Sequence, residues 1–417
     1  MFPCLHRSKP PRIHKRLFIL LIAMGLMPFA PCSLLFAQSP EPYVVMLSMD
    51  GFRWDYPERC GAPNLDKIAA GGVKAESLRP SFPSKTFANH YTMATGLYPD
   101  HHGIVENSFY DPPTGKHYSI GNRAAVEDAS FYAGEPIWVT AEKQGVKSAS
   151  FYWVGSEAPI MGIQPAYWKR YEEGVSFTSR IDTVIYWLSL PEERRPHLVM
   201  WYMDEPDATG HDEGPLSEAT CRMVNYLDSL VGVFMEKINA LPNADDINII
   251  ITSDHGMGPV SHDNCLMLRN YIDFDWFEEI EGSSPNLTLK VKEANRDTAW
   301  KVLSTIPHII AWKHGEMPDS LHYGTNLRTL DFILVADSAW QFSLTDKVKR
   351  SGGAHGFNPY NTDMHAIFYA TGPAFKTGYI QPVFENTDLY PLICRILHLE
   401  PAPADGKIEN TEGMLRD

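Results

Sequence analysis

At 417 residues the chain is long enough for one large α/β domain with insertions or for two or three smaller domains. Hydrophobic residues make up 44% and charged residues 21%, while the 29 Gly and 32 Pro follow no period; these proportions exclude wholesale disorder and fibrous classes. A formal charge of -15 argues against a cationic stripe for nucleic-acid backbones, so any phosphate needs a local device such as a metal to hold it.

The first residues carry Arg7, Lys9, Arg12, Lys15 and Arg16 without an acid, then the apolar run LFILLIAMGLM, then SLLFAQ. This order predicts a signal peptide over residues 1–37, cut after Ala37, and a periplasmic or secreted mature chain of charge -20. An uncleaved anchor over Leu17–Ala37 is the alternative; Pro28, Pro31 and Cys32 argue against it. No second long apolar run follows, so no stable membrane span is expected after cleavage. Residues 38–417 are expected to form one catalytic domain.

Apolar runs that resemble buried strands recur at 43–49, 148–154, 197–203, 247–253 and 366–372. Helical spacing lies between them, from Asn64 as a cap residue to Ala70, from Thr86 to Thr95, and from Ser217 to Ala240. Strands alternating with helices predict an α/β fold, a doubly wound and mostly parallel sheet flanked by helices. Residues 263–350 read as a small α+β insertion, with LTLKVKE, DTAWKVLSTI, IIAWKHG and LDFILVAD as its elements. Within it Asn286 opens a glycosylation sequon, relevant only in a host that glycosylates. The tail from Pro401 reads as an exposed loop. Cys60, Cys221, Cys265 and Cys394 permit two disulfides in three pairings, or four buried thiols, and the sequence leaves both open.

Acids and histidines follow the strands. Run 43–49 ends in Asp50; run 197–203 is followed by Asp204, Asp207 and His211; run 247–253 leads into Asp254 and His255. In open α/β sheets ligands bind at the carboxyl ends of strands, so these groups converge on one edge. His355 sits among glycines that let the backbone approach closely. Mixed Asp/His ligation suits zinc, and six ligands exceed the four of one tetrahedral ion, so two Zn²⁺ are expected. Thr86 opens a helix, where free N–H groups favour anions. Its hydroxyl is then either a metal-activated nucleophile or a helix cap.

The motifs MLSMDGFRWDY, PSKTFANHYTMATGLYPDHHGIVEN, GEPIWVTAEKQG, EPDATGHDEGP, TSDHGM and GGAHGF run in order along nearly the whole mature chain. In them the sequence resembles the nucleotide pyrophosphatase/phosphodiesterase family of the alkaline phosphatase superfamily. The resemblance makes Thr86 the nucleophile. It makes Asp207, His211 and His355 the ligands of one zinc, and Asp50, Asp254 and His255, with the Thr86 oxygen, those of the other. Asn107 matches the amide that steadies a non-bridging phosphate oxygen. Phe87 and Tyr171 match aromatics that sandwich a nucleobase, and Tyr202 is a weaker candidate for that pocket. Asp204 stays unassigned, with the orienting of a ligand histidine as a role open to it. His90, His101 and His102 match no ligand position, and Lys85 is either solvated or an electrostatic aid.

Two Zn²⁺, three carboxylates and a Thr86 alkoxide sum to zero charge, which suits a phosphodiester better than a monoester dianion. The resemblance therefore implies hydrolysis of nucleoside triphosphates and nucleotide diesters to 5′-monophosphates through a phosphothreonine. Choline-type diesters are the rival substrate on the same metal site. The partner is a small molecule; no sequence-specific nucleic acid and no obligate protein partner are implied. A fold retained for binding without turnover is the rival of a different class.

Overall fold

Along β1 (Tyr43–Met49) the side chains alternate between two buried layers, with Val44 and Met46 in one and Tyr43, Val45, Leu47 and Met49 in the other. That period of two explains why the run carries no polar face: a central strand is covered on both sides. The computed structural model describes residues 42–416. The predicted signal segment, with Cys4 and Cys32, lies outside the described residues.

The other strands of the two larger sheets and of one hairpin follow in chain order: β2 (Val73–Ala75), β3 (Ser108–Asp111), β4 (Lys116–Ser119), β5 (Ser148–Phe151), β6 (Tyr167–Lys169), β7 (Leu198–Met203), β8 (Ile247–Thr252), β9 (Phe277–Glu281), β10 (Asn286–Val291), β11 (Ile309–Lys313), β12 (Phe332–Ala336), β13 (Phe368–Thr371) and β14 (Tyr379–Gln381). The main sheet has the order β14-β2-β13-β8-β1-β7-β5-β6. β1 pairs in parallel with both β7 and β8, and β5 and β6 extend the parallel half beyond β7. β13 runs antiparallel to β8 and β2. The fold is thus α/β with a mostly parallel sheet, as the alternation of elements predicts. The 366–372 run is the exception to its direction.

The helices that position the site are α1 (Pro63–Gly71), α2 (Thr86–Thr95), α3 (Ile137–Lys143), α4 (Phe177–Leu188), α5 (Asp207–Glu213) and α6 (Glu218–Asn239). The Ser217 hydroxyl caps α6 by accepting from the Thr220 N–H at 3.1 Å. α6 buries Val224, Leu227, Leu230, Val231 and Phe234 against the sheet. Asn64 is not the cap of α1, contrary to the sequence reading; the helix starts at Pro63. Asp228 from α6 accepts from the Asn64 and Leu65 N–H groups at 3.1 and 2.9 Å, supplying the cap from a distant helix. Among the described residues no helix is long and apolar enough to cross a membrane.

The region predicted as an insertion holds a separate antiparallel sheet of order β9-β10-β12-β11. Its helix α7 (Arg296–Leu303) buries Ala299 and Leu303 in a third core that also takes in Phe357 and Met364. Asn286 and Thr288 lie in β10, each only 4% exposed, so the folded chain presents no sequon acceptor there. The tail corrects its prediction too. Thr411 and Met414 are buried, Asp388 accepts from Lys407 N–H and Asn410 Nδ2, and Arg416 N–H donates to the Ala374 carbonyl. A disulfide joins Cys60 to Cys221, while Cys265 and Cys394 are free thiols.

Candidate active site

The carboxyl ends of β1, β7 and β8 lie side by side, because the three strands are adjacent and parallel. Asp50 directly follows β1, Asp254 and His255 follow β8, and Asp207 and His211 stand one turn apart on α5 after β7. Gly51 takes φ +67°, and a Cβ there would lie 2.9 Å from Asp207 Cα; only glycine lets α5 come this close to Asp50. His355 arrives on the Gly352–Ala354 segment, which pairs with Gly258–Val260. Side chains at Gly352 and Gly353 would strike the carbonyls of His211 and Gly210 at 2.1 and 2.5 Å. The glycine flank therefore serves the close approach expected of it.

All three histidines are oriented alike. The Nδ1–H of His211 donates to the Gly353 carbonyl at 2.8 Å, that of His255 to Gly256 at 2.8 Å, and that of His355 to Ser84 at 2.7 Å. Each Nε2 is left as a lone pair facing the carboxylates, the usual arrangement of metal-ligating imidazoles. His255 Nε2 lies 3.4 Å from Asp50 Oδ1 and 3.1 Å from Asp254 Oδ2. His355 Nε2 lies 3.6 Å from Asp207 Oδ1, and His211 Nε2 3.5 Å from Asp207 Oδ2. Ligand atoms of Asp50, Asp254 and His255 all fall within 4.8 Å of one another, as do those of Asp207, His255 and His355. His255 therefore stands between the two groups.

Burial, then repulsion from the neighbouring acids, pushes the carboxyls of Asp50, Asp207 and Asp254 well above the usual range. Burial also holds His211, His255 and His355 below the usual imidazole range, and so neutral. Asp50 Oδ1, Asp207 Oδ1 and Asp254 Oδ2 are buried without a hydrogen-bond donor. Three unpartnered carboxylate oxygens facing three neutral imidazole nitrogens form a donor set that fits divalent zinc.

Thr86 is the first residue of α2, after Lys85 in extended conformation. Its Oγ1 lies 3.3 Å from His255 Nε2 and makes no capping bond to the helix. Asn107 Oδ1 accepts the Phe87 N–H at 2.9 Å, one of the free donors at the start of α2. Since only the amide oxygen can accept there, Nδ2 is the group left to donate.

Thr86 and Asn107 open into a cavity of about 570 Å³ that Phe87, Tyr171 and Tyr202 also line. Tyr171 leans on Tyr152 with ring centroids 5.0 Å apart. The Tyr202 hydroxyl donates to Asp50 Oδ2 at 2.5 Å, which ties this cavity residue to the candidate metal ligands. Asp204 does not orient a histidine: it pairs with Arg180 at 2.7 Å, whose guanidinium lies over the rings of Tyr152 and Phe177. All predicted site residues thus meet at one sheet edge and one cavity.

A family model described as type I phosphodiesterase / nucleotide pyrophosphatase matches residues 44–358. The chain belongs to this family. Rat ectonucleotide pyrophosphatase/phosphodiesterase family member 3 is 34% identical over 389 residues, covering 90% of this chain and 44% of the relative. A venom phosphodiesterase of Crotalus durissus collilineatus is 35% identical over 397 residues, covering 93% and 47%. The chain spans about half the length of these curated relatives. The solved structure of murine ectonucleotide pyrophosphatase/phosphodiesterase 5 superposes with a TM-score of 0.86 at 32% identity, over 90% of this chain and all of that one. An inactive threonine-to-alanine form of the murine protein, in complex with AMP, superposes over the same shares at 0.87 and 32% identity.

Several residues of this candidate site carry no signal in the motifs. Arg123 and Glu157 pair at the cavity wall. Ser283 and Ser284 reach the cavity from the loop between β9 and β10. Lys85 is buried, not solvated, and faces Glu106. The histidines that match no ligand position are structural or surface groups: His90 donates to the Thr86 carbonyl at 2.9 Å, His102 bonds the Thr92 hydroxyl at 2.9 Å, and His101 pairs with Asp405 near the surface.

Proposed function

We propose that this chain is a secreted or periplasmic two-zinc phosphodiesterase that converts nucleoside triphosphates and nucleotide diesters to nucleoside 5′-monophosphates. The observation that carries the reading is the placement of the Thr86 hydroxyl. It sits at a helix N-terminus, 3.3 Å from His255, beside the Asn107 amide and at the mouth of a cavity with aromatic walls.

Asp50, Asp254 and His255 would hold one Zn²⁺, and Asp207, His211 and His355 the other. When bound, the two ions supply the Lewis acidity that ionises the hydroxyl and stabilises the departing oxygen. Thr86 Oγ1 then forms a bond to the α-phosphorus as the bond to the leaving group breaks, giving a phosphothreonine. Water breaks the threonine–phosphorus bond in a second displacement and releases the 5′-monophosphate. Through both steps Asn107 Nδ2 donates to the non-bridging oxygen that gains charge, an interaction worth about 3–4 kcal/mol of barrier. Phe87 and Tyr171 stack the base and fix the α-phosphorus in line with Thr86.

Lys85 adds a positive charge beside this set and Glu106 cancels it, so the neutral sum that favours a diester still stands. Arg123 and Arg180 neutralise Glu157 and Asp204, leaving neither cavity acid free for a quaternary ammonium. This supports nucleotides over choline-type diesters. The Cys60–Cys221 disulfide supports an oxidising compartment.

The test is product analysis from ATP with and without a chelator. AMP and pyrophosphate should appear, and chelation should abolish both. Activity on bis(p-nitrophenyl) phosphate without release from ATP would overturn the nucleotide reading and bring glycerophosphocholine forward. Thr86→Ala should keep zinc content and fold while losing turnover by orders of magnitude.

A further inference from the structure

Glu106 is a buried carboxylate, 3% exposed, that the reaction above does not use. It directly precedes Asn107, and its Oε2 accepts the Asn107 backbone N–H. Its Oε1 has no hydrogen bond and faces Lys85 Nζ at 3.5 Å. Lys85, also 3% exposed, directly precedes Thr86. Its ammonium donates to the carbonyl and hydroxyl of Ser283, each at 3.2 Å.

The stem of Lys85 runs beneath Gly356, the residue after His355. A Cβ at Gly356 would lie 2.6 Å from Lys85 Cε and 2.2 Å from Asn286 Oδ1. The stem of Lys85 is therefore packed closely against the Gly356 backbone. These contacts close a ring. Lys85, Thr86 and Phe87 run along the start of α2, the Phe87 N–H meets the Asn107 side chain, and Glu106 returns to Lys85. Nucleophile and amide donor are members of that ring, so neither shifts against the other without breaking a buried charge contact or stranding an N–H group. Breaking a buried ion pair by removing one partner leaves an uncompensated charge, so the carboxylate holds its place firmly.

We infer that Glu106 is a positioning residue, which sets the Asn107 amide against Thr86 and so acts on the chemical step and not on substrate affinity. The inference rests on the reading of Thr86 as nucleophile and Asn107 as donor.

A kinetic cycle on the zinc-replete enzyme tests it, with Glu106→Gln, Glu106→Asp, Asn107→Ala and the two double variants assayed on a nitrophenyl nucleotide ester. Displacing a catalytic group by about 1 Å costs on the order of 100-fold. Glu106→Gln should therefore lower kcat about 10- to 100-fold with KM within about threefold and zinc content unchanged. Glu106→Asp, which keeps the charge on a shorter arm, should recover part of that loss. Combined with Asn107→Ala, either change should cost less than about threefold, since the group it positions is gone.

A Glu106→Gln loss of equal size with and without Asn107→Ala would overturn the positioning role alone, as would a wild-type kcat in Glu106→Gln. If Glu106→Gln does not fold, Glu106→Asp carries the same cycle by the same criteria. A wild-type kcat in Asn107→Ala would overturn the donor reading and this inference together.

Discussion

Replacing Asn107 by alanine and by aspartate separates the loss of a donor from the gain of a charge. In the native site Oδ1 is held by the Phe87 N–H at 2.9 Å, so Nδ2 is the group left to donate to a bound phosphate. Alanine removes the donor, worth about 3–4 kcal/mol, and kcat should fall roughly 100- to 1000-fold. Aspartate keeps the bond from Phe87 and puts its second oxygen where Nδ2 stood. Two unit charges about 4 Å apart repel by about 4 kcal/mol at an effective dielectric of about 20. Asn107→Asp should therefore be slower than Asn107→Ala by at least a further 10-fold, although it is closer to the native shape. The assay is AMP release from ATP at saturating substrate, with zinc content measured for each variant. An aspartate variant as fast as the alanine variant would refute the placement of this side chain at the transferring phosphorus.

Phe87→Ala should lower kcat/KM for ATP about 10- to 100-fold, the worth of base–aromatic stacking, and change a small aryl phosphodiester far less; equal losses on both would set the base sandwich aside. The Cys60–Cys221 disulfide spans 161 residues of sequence, and chain entropy assigns such a link about 5 kcal/mol. Replacing both cysteines by alanine should lower the denaturation midpoint clearly, and an unchanged midpoint would show that the unfolded state gains nothing from release. Burial lowers His102 to about 3, while the unfolded chain binds that proton near 6.5. Its folded value is depressed, so the stability it contributes is present above pH 6.5 and is lost as pH falls from there toward 3. His102→Gln should flatten urea stability between pH 6.5 and pH 4 relative to wild type, and parallel curves would remove this histidine as a cause.

Ligands that sit directly after apolar strands are legible in sequence, because strand and ligand are neighbours on the chain. Asp50, Asp254 and His255 belong to this class, whereas Thr86 is legible as the first residue of the helix α2. Groups that meet the site only through long-range packing have no local pattern. Glu157 and Arg123 are separated by a helix and a strand, and Ser283 comes from a loop of another sheet. The direction of β13 was hidden for the same reason: a short buried run reads alike in either orientation. Asp228 capping α1, the pairing of Cys60 with Cys221 and the packed tail are likewise contacts between distant segments. Lys85 and Glu106 stand beside recognised motif residues, yet only the fold reveals that they face each other.

The candidate metal ligands are spread from residue 50 to residue 355 and come from four segments, three of them ends of central strands. A growing or unfolded chain can therefore assemble neither the set around Asp207 nor its junction with His255 until the sheet has closed and the glycine segment carrying His355 has docked. Zinc held by these residues would act late, as a latch on a finished architecture and not as a seed for it. Metal-free protein should reach the native sheet at the same rate as metal-loaded protein. The effect of such an ion would belong in the unfolding rate, where ligands from distant segments must let go of it before any of them can leave.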